Sequence, residues 1–251
     1  MLHLCGTTSF VLYDLTYAGP ITIFQEDFLP AWIQMCLNCI GLAVWYADMF
    51  LQVAMAFNRY VTIVFNNRKA FTRRRSSIFG GFSFAVASVI AVIAQCIVPC
   101  CTLHYNYKTY SYFYSLTDSN YANFLITLPI NTASTITSCF LYILIFFYIH
   151  RVNKTATGIT TDTSRIRRAK EAHYAVQFFM ITVFSTITWL AVQCFPLFIT
   201  EESKEWMCIM SLCHLVHCVV NSLIFIFYNR EFKYKYFKKR EQNGSGIYGV
   251  T

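Results

Sequence analysis

Charged residues divide this chain into long uncharged runs. Residues 76–107, 119–150, 172–200 and 206–229 contain no Asp, Glu, Lys or Arg, and residues 28–58 are broken only by Asp48. A transmembrane helix needs about 20 consecutive, mostly apolar residues. The pattern predicts five spans, near 32–57, 77–99, 122–149, 174–198 and 207–228. Barrel strands do not fit, because they run only about 9–11 residues and alternate in polarity. Ahead of these spans, residues 1–13 are apolar but short, Asp14 interrupts them, and Gly19-Pro20 reads as a turn. There is no Lys or Arg before Arg59, which disfavours a signal peptide. Residues 1–18 are better read as the tail end of a further membrane helix. The predicted fold class is therefore all-α: a polytopic helix bundle with five full spans and the remnant of a sixth.

Composition agrees. Of the 251 residues, 56% are hydrophobic, 18% aromatic and 13% charged, where a soluble domain carries roughly 25% charge. Such a chain holds more apolar surface than a water-soluble core of its length hides. An ordinary soluble enzyme, a disordered tail and a secreted disulfide scaffold are all excluded. The net charge of +8 would point to nucleic acid only if it covered one accessible face, and it does not. Three clusters of six basic residues, at 59–75, 151–170 and 230–240, hold all but Lys108 and Lys204. Every cluster falls on the same side of the five spans. The positive-inside rule makes that side cytoplasmic, with residues 1–31 outside and the C-terminal tail inside. The two glycosylation sequons, at Asn153 and Asn243, fall on that inner side and read as chance matches.

The first span ends in Asn58-Arg59-Tyr60. The last contains Asn221-Ser222-Leu223-Ile224-Phe225 and runs through Phe227-Tyr228-Asn229-Arg230-Glu231 to Phe232. An Arg at a helix end commonly snorkels to the headgroups, but the wider pattern is more specific. It resembles the rhodopsin-like G-protein-coupled receptors, whose third helix ends in Asp-Arg-Tyr. Their seventh carries Asn-Pro-x-x-Tyr, and a Phe follows on an eighth amphipathic helix. The wording and the aromatic-rich spans look most like the nematode serpentine chemoreceptors of class X, over roughly residues 32–240.

The resemblance makes the five spans helices three to seven and residues 1–18 a remnant of helix two. Helix one is absent, so the expectation is an N-terminally truncated chain or an incomplete gene model. It implies a coupling and switch set of Asn58, Arg59, Tyr60, Arg165, Arg168, Asn221, Phe225 and Phe232. It also implies a bridge from Cys36 to Cys100 or Cys101, as related receptors tie the third helix to the second outer loop. Asn58 stands where the motif has its acid, and Ser222 and Phe225 where the seventh helix has Pro and Tyr. Trp189 and Pro196 lack the usual Cys-Trp-x-Pro arrangement. Residues 229–240 are expected to form a juxtamembrane helix, with Phe232 and Tyr236 on one face and basic flanks toward anionic lipid. Residues 241–251 read as a disordered tail.

Other residues carry weaker signals. Asp48, Gln52, Met55 and Arg59 recur at i, i+4, i+7 and i+11, a single helical stripe. It should face the bundle, since lipid offers a carboxylate no partner. Asp48 with Gln52 reads either as an intramembrane polar site, for an ion, a proton or a ligand's countercharge, or as a protonated acid bonded to a neighbour. His214 and His217 form an H-x-x-H pair, better read as polar residues bridging helices than as metal ligands. Cysteines within the spans read as small apolar residues.

These signs favour a chemosensory receptor over an enzyme. No Gly-rich phosphate loop, nucleophile elbow, paired carboxylates or membrane histidine boxes occur. The expected partners are the lipid bilayer, a heterotrimeric G protein and an unknown external small molecule, with no nucleic acid and no cofactor. Tyr105, Tyr107, Tyr110, Tyr112, Tyr114 and Trp206 could line the ligand's approach, though interfacial anchoring suits most of them better. The competing readings are a transporter or other multi-pass membrane protein, and a truncated, non-signalling receptor chain. A transporter would need more intramembrane charge than Asp48 and two histidines supply.

Overall fold

The computed structural model describes residues 8–9, 11–65, 67, 71–98, 102–108, 110–114, 120–155, 162–198 and 206–228. It is an all-α polytopic bundle with one small hairpin. In chain order the elements are α1 (Gly19–Phe24), α2 (Ala31–Val64), α3 (Arg73–Val92), strands β1 (Leu103–Asn106) and β2 (Ser111–Tyr114), α4 (Leu128–Thr155), α5 (Asp162–Phe198) and α6 (Cys208–Tyr228). Three π-helical turns extend them: Asp14–Ala18 leads into α1, Ile93–Ile97 continues α3, and Asn123–Thr127 leads into α4.

Among the described residues, four helical stretches are long and apolar enough to cross a membrane by length and composition. They are Ala31–Val64, Arg74–Ile97, Asn123–Val152 and Ala172–Cys194, and Cys208–Ile224 is a shorter apolar stretch. At 1.5 Å per residue the 21 residues of α6 rise about 31 Å, matching a hydrocarbon core of about 30 Å.

The helices outrun the predicted spans. α2 continues to Val64, so Asn58-Arg59-Tyr60 lies inside a helix rather than at its end. α5 begins at Asp162, which places Arg165 and Arg168 on the helix instead of on a connecting loop. Polarity marks where a helix leaves lipid, not where it unwinds.

Gly19-Pro20 is not a turn. Both residues lie in α1, with Pro at its first positions and Gly19 N–H bonded back to Asp14 O. The π-helical turn Asp14–Ala18 runs straight into α1, so the helix passes through Pro20 and forgoes only the N–H bond that a proline cannot make. The chain reverses at Gln25 instead, whose left-handed φ of 55° ends the helix with its N–H on Ile21 O.

Packing follows side-chain size. α2 lies at the centre and packs chiefly on α3 and α4, while α6 packs on α5. Leu42, Tyr46 and Ala47 of α2 meet Ala87, Ala91 and Ala94 across the α2–α3 seam. Small residues let backbones approach where lipid removes the hydrophobic drive between helices. At the other end of α2, Ala56 packs with Leu141, Tyr142 and Ile145 of α4 and Ala175 of α5.

The hairpin was not expected. Leu103 pairs with Tyr114, and Tyr105 with Tyr112, in an antiparallel register. Tyr110 adopts φ 53°, uncommon for a residue with a side chain. Its carbonyl accepts a hydrogen bond from Ser211 Oγ of α6 at 2.8 Å, which holds the turn against the bundle.

Candidate functional site

The hairpin end gathers polar side chains, and the π-helical turns present several of them. A π-turn inserts an extra residue into the helical register, re-aiming the side chains it carries. Gln95, 3% exposed, bonds both backbone groups of Leu103: Nε2 donates to its O at 2.7 Å and Oε1 accepts from its N–H at 3.0 Å. Thr127 Oγ1 lies 2.8 Å from Tyr46 Oη. Asn123 and Gln193 of α5 exchange long amide contacts of 3.4 and 3.5 Å. Beside them Trp45 Nε1 donates to Asn131 Oδ1 at 3.1 Å, linking α2 to α4.

The first π-turn supplies Asp14, whose Oδ1 accepts from Tyr112 Oη at 2.6 Å. Tyr13 Oη donates to Asn38 Oδ1 at 2.8 Å, and Thr22 Oγ1 lies 2.6 Å from Tyr105 Oη. Gly41 makes this approach practicable, because a Cβ there would come within 3.2 Å of the Tyr13 ring. Burial raises the phenol pKa values of Tyr105 and Tyr112 on the hairpin, and for Tyr112 the nearby Tyr13 and Asp14 raise it further. Tyr112 therefore stays protonated and donates.

From mid-span toward the opposite end, the α2 stripe faces α5. Gln52, 3% exposed, donates from Nε2 to Ser185 Oγ at 2.7 Å. Seven residues on, the Arg59 guanidinium lies 5.2 Å from the Tyr174 ring centroid and 4.9 Å from that of Phe178. Two turns on α2 match two turns on α5 in the reverse direction, so the helices run antiparallel along a shared seam. Asn58 Oδ1 accepts from Thr62 Oγ1 at 3.3 Å, and Tyr60 meets Phe65 edge-on at 5.6 Å. Asp48 is half-buried on the same stripe.

On α6, Asn221 is 2% exposed and its Nδ2 lies 3.0 Å from His217 Nε2. The His214 ring lies tilted 5.3 Å from that of Trp45 on α2, and His214 approaches Cys218 Sγ at 3.7 Å. The histidines thus serve α6 and its seam with α2. Among the described residues no group of three His, Cys, Asp or Glu could hold a metal.

The structure brings Gln52 and Arg59 together on one seam and leaves Asn221 in a separate network. Arg165, Arg168 and Phe225 are placed on their helices by backbone only, and Phe232 and the whole of 229–240 lie outside the described residues. Cys36 is exposed with a free thiol, while Cys100 and Cys101 lie outside the described residues. Among the aromatic residues expected near the ligand's approach, Trp206 stays 63% exposed, as an interfacial anchor would. Tyr105 is 7% exposed and packs inward instead. Sequence reasoning missed Asp14, Tyr13, Gln95 and the hairpin. Residues 103–106 alternate apolar and polar, but 111–114 read Ser-Tyr-Phe-Tyr and the 107–110 turn carries no Gly, Pro, Asn or Asp, so the hairpin left little local signal.

No curated protein matches the chain. The family model described as Serpentine type 7TM GPCR chemoreceptor Srx matches residues 4–229. With nearly all of its length inside that match, the chain belongs to the Srx family of serpentine seven-transmembrane chemoreceptors.

Proposed function

We propose that this chain binds an external small molecule at its hairpin end and signals to a heterotrimeric G protein at its arginine end. The observation that carries the reading is the seam between α2 and α5, where Arg59 lies over Tyr174 and Phe178. A guanidinium lying over two ring faces is a contact that sliding of one helix past the other can break. Each such contact contributes about 0.5–1 kcal/mol when exposed and more when desolvated. A ligand need favour the separated arrangement by only a small differential affinity to shift the population.

The orientation rests on the basic residues, which lie overwhelmingly on the Arg59 side of the spans. That side faces the cytosol and the hairpin faces out. Arg59, Asn58 and Tyr60, with Arg165 and Arg168 at the start of α5, present the surface for the G protein. Asn221 and Phe225 act within α6, and Phe232 seats the 229–240 segment on the inner leaflet, in a plasma membrane that the chain crosses several times.

The test is nucleotide exchange. The full chain, reconstituted in vesicles with a heterotrimeric G protein, is expected to raise basal guanine-nucleotide exchange above that of vesicles without it. Indistinguishable rates, with insertion verified, would overturn the signalling reading.

A further inference from the structure

Four tyrosine rings close a cycle at the hairpin end. Tyr13 and Tyr17 lie 5.3 Å apart between centroids, Tyr17 and Tyr105 6.5 Å, Tyr105 and Tyr112 5.1 Å, and Tyr112 and Tyr13 6.1 Å. Two of the rings come from the π-turn and its approach, two from the hairpin. The Asp14 carboxylate stands beside the cycle, taking the Tyr112 hydroxyl at 2.6 Å. Tyr17 is only 1% exposed, and its hydroxyl faces the side chain of Asn38, which also takes the Tyr13 hydroxyl.

We propose that this tyrosine cycle, with Asp14, is a binding site for a small organic ammonium cation, closed in this structure and opened by displacement of the hairpin. Ring faces carry negative quadrupole potential, and several faces around one point are the arrangement that recognises alkylammonium groups. Whatever the pucker of the cycle, four centroids with those separations lie at a root-mean-square distance of about 4 Å or less from their common centre, inside the roughly 6 Å reach of the interaction. That spacing is tight for a methylated nitrogen, so the hairpin pair Tyr105 and Tyr112 must draw back as the cation enters. Asp14 then supplies the opposite charge that a ring of phenols lacks.

At the rim, Lys108 Nζ lies 6.0 Å from the ring centroid of its neighbour Tyr107. Tyr107 in turn packs against the cycle. Hairpin displacement would also reach α6, through the bond from Ser211 to the Tyr110 carbonyl. The proposal takes from the receptor reading only that this end faces the exterior.

The test is binding to the purified full chain in detergent, read as a saturable thermal shift, with choline as the probe. The control is its carbon isostere, an alcohol of the same shape with carbon in place of the nitrogen. Choline is expected to bind at least about tenfold more tightly than the alcohol, because only the cation gains from ring faces and carboxylate. Asp14→Asn should weaken choline by a similar factor. Tyr105→Phe, which keeps the ring, should bind, and Tyr105→Leu should not. Equal binding of choline and the alcohol, no saturable shift with choline, or an undiminished shift in Asp14→Asn would each overturn the site. The comparison of the two probes uses unmutated protein, so it stands even where a variant fails to fold. No G protein enters the assay: choline binding beside a failed exchange test would sink the signalling reading and leave the site. Successful exchange without choline binding would do the reverse.

Discussion

The hairpin end is tied by directed hydrogen bonds, Gln95 to Leu103, Tyr112 to Asp14 and Ser211 to Tyr110, whereas at the arginine end a guanidinium lies over two rings beside the apolar packing of Ala56, Leu141, Tyr142, Ile145 and Ala175. Directed bonds fix geometry and leave a costly unsatisfied group when broken. A cation over ring faces tolerates sliding. One end is built to hold a shape until something specific displaces it. At the other, the ring contacts set a less demanding geometry.

The largest effect should therefore come from cutting a directed tie. Gln95→Ala removes the partner of both the N–H and the carbonyl of Leu103, and each buried group left unsatisfied costs about 1–3 kcal/mol. The expected result is a fall of several degrees in the melting temperature of the purified chain. Amide exchange should rise first in residues 103–106 and 111–114. Uniform loss of protection across the helices, with the hairpin no worse than the rest, would show that Gln95 supports the bundle at large and would erase the contrast between the ends.

At the arginine end the change should appear in equilibrium rather than in stability. Arg59→Ala deletes both ring contacts, together about 1–2 kcal/mol, which is a factor of about 5–30 in the ratio of the closed to the separated arrangement. Basal nucleotide exchange should shift by a multiple within that range while the melting temperature moves little. Arg59→Lys keeps the charge but loses the flat stacking surface, and should fall between. A variant with Ala at this position that melts like Gln95→Ala would mean the two ends are held alike.

How much of this was legible beforehand divides along the same line. The long apolar helices and the inward-facing stripe follow from charge and helical spacing, both local properties of the chain. Gln52 and Arg59 were placed on one face by arithmetic alone, and the structure puts both against α5. The hairpin latch was not legible, because its partners are far apart in sequence: Tyr112 reaches Asp14 across 98 residues. In the sequence Asp14 reads as an interruption of an apolar run, and the tyrosines read as interfacial anchors. Only tertiary contact turns them into donor and acceptor. The π-turns escaped for a related reason, since nothing in the local composition of Ile93–Ile97 sets it apart from the helix it continues.

The smallest expected effect lies between the two ends, at Gln52. Its side chain is 3% exposed and donates to Ser185 Oγ at 2.7 Å, four residues along the same stripe from the half-buried Asp48. On geometry alone this resembles the ties at the hairpin end. Its surroundings differ, because it sits at mid-span, where the alternative partners are other side chains and not water. Interhelical hydrogen bonds inside membranes average only about 0.6 kcal/mol, since polar groups in the membrane-embedded unfolded state find other partners. Gln52→Leu fills nearly the same volume and leaves Ser185 able to bond the carbonyl one turn back on its own helix. The expected result is a melting temperature within a degree or two of the unmutated chain and an unaltered hairpin exchange pattern. A loss comparable to that of Gln95→Ala would place Gln52 with the directed ties, and the firm region would then extend from the hairpin to within two turns of Arg59.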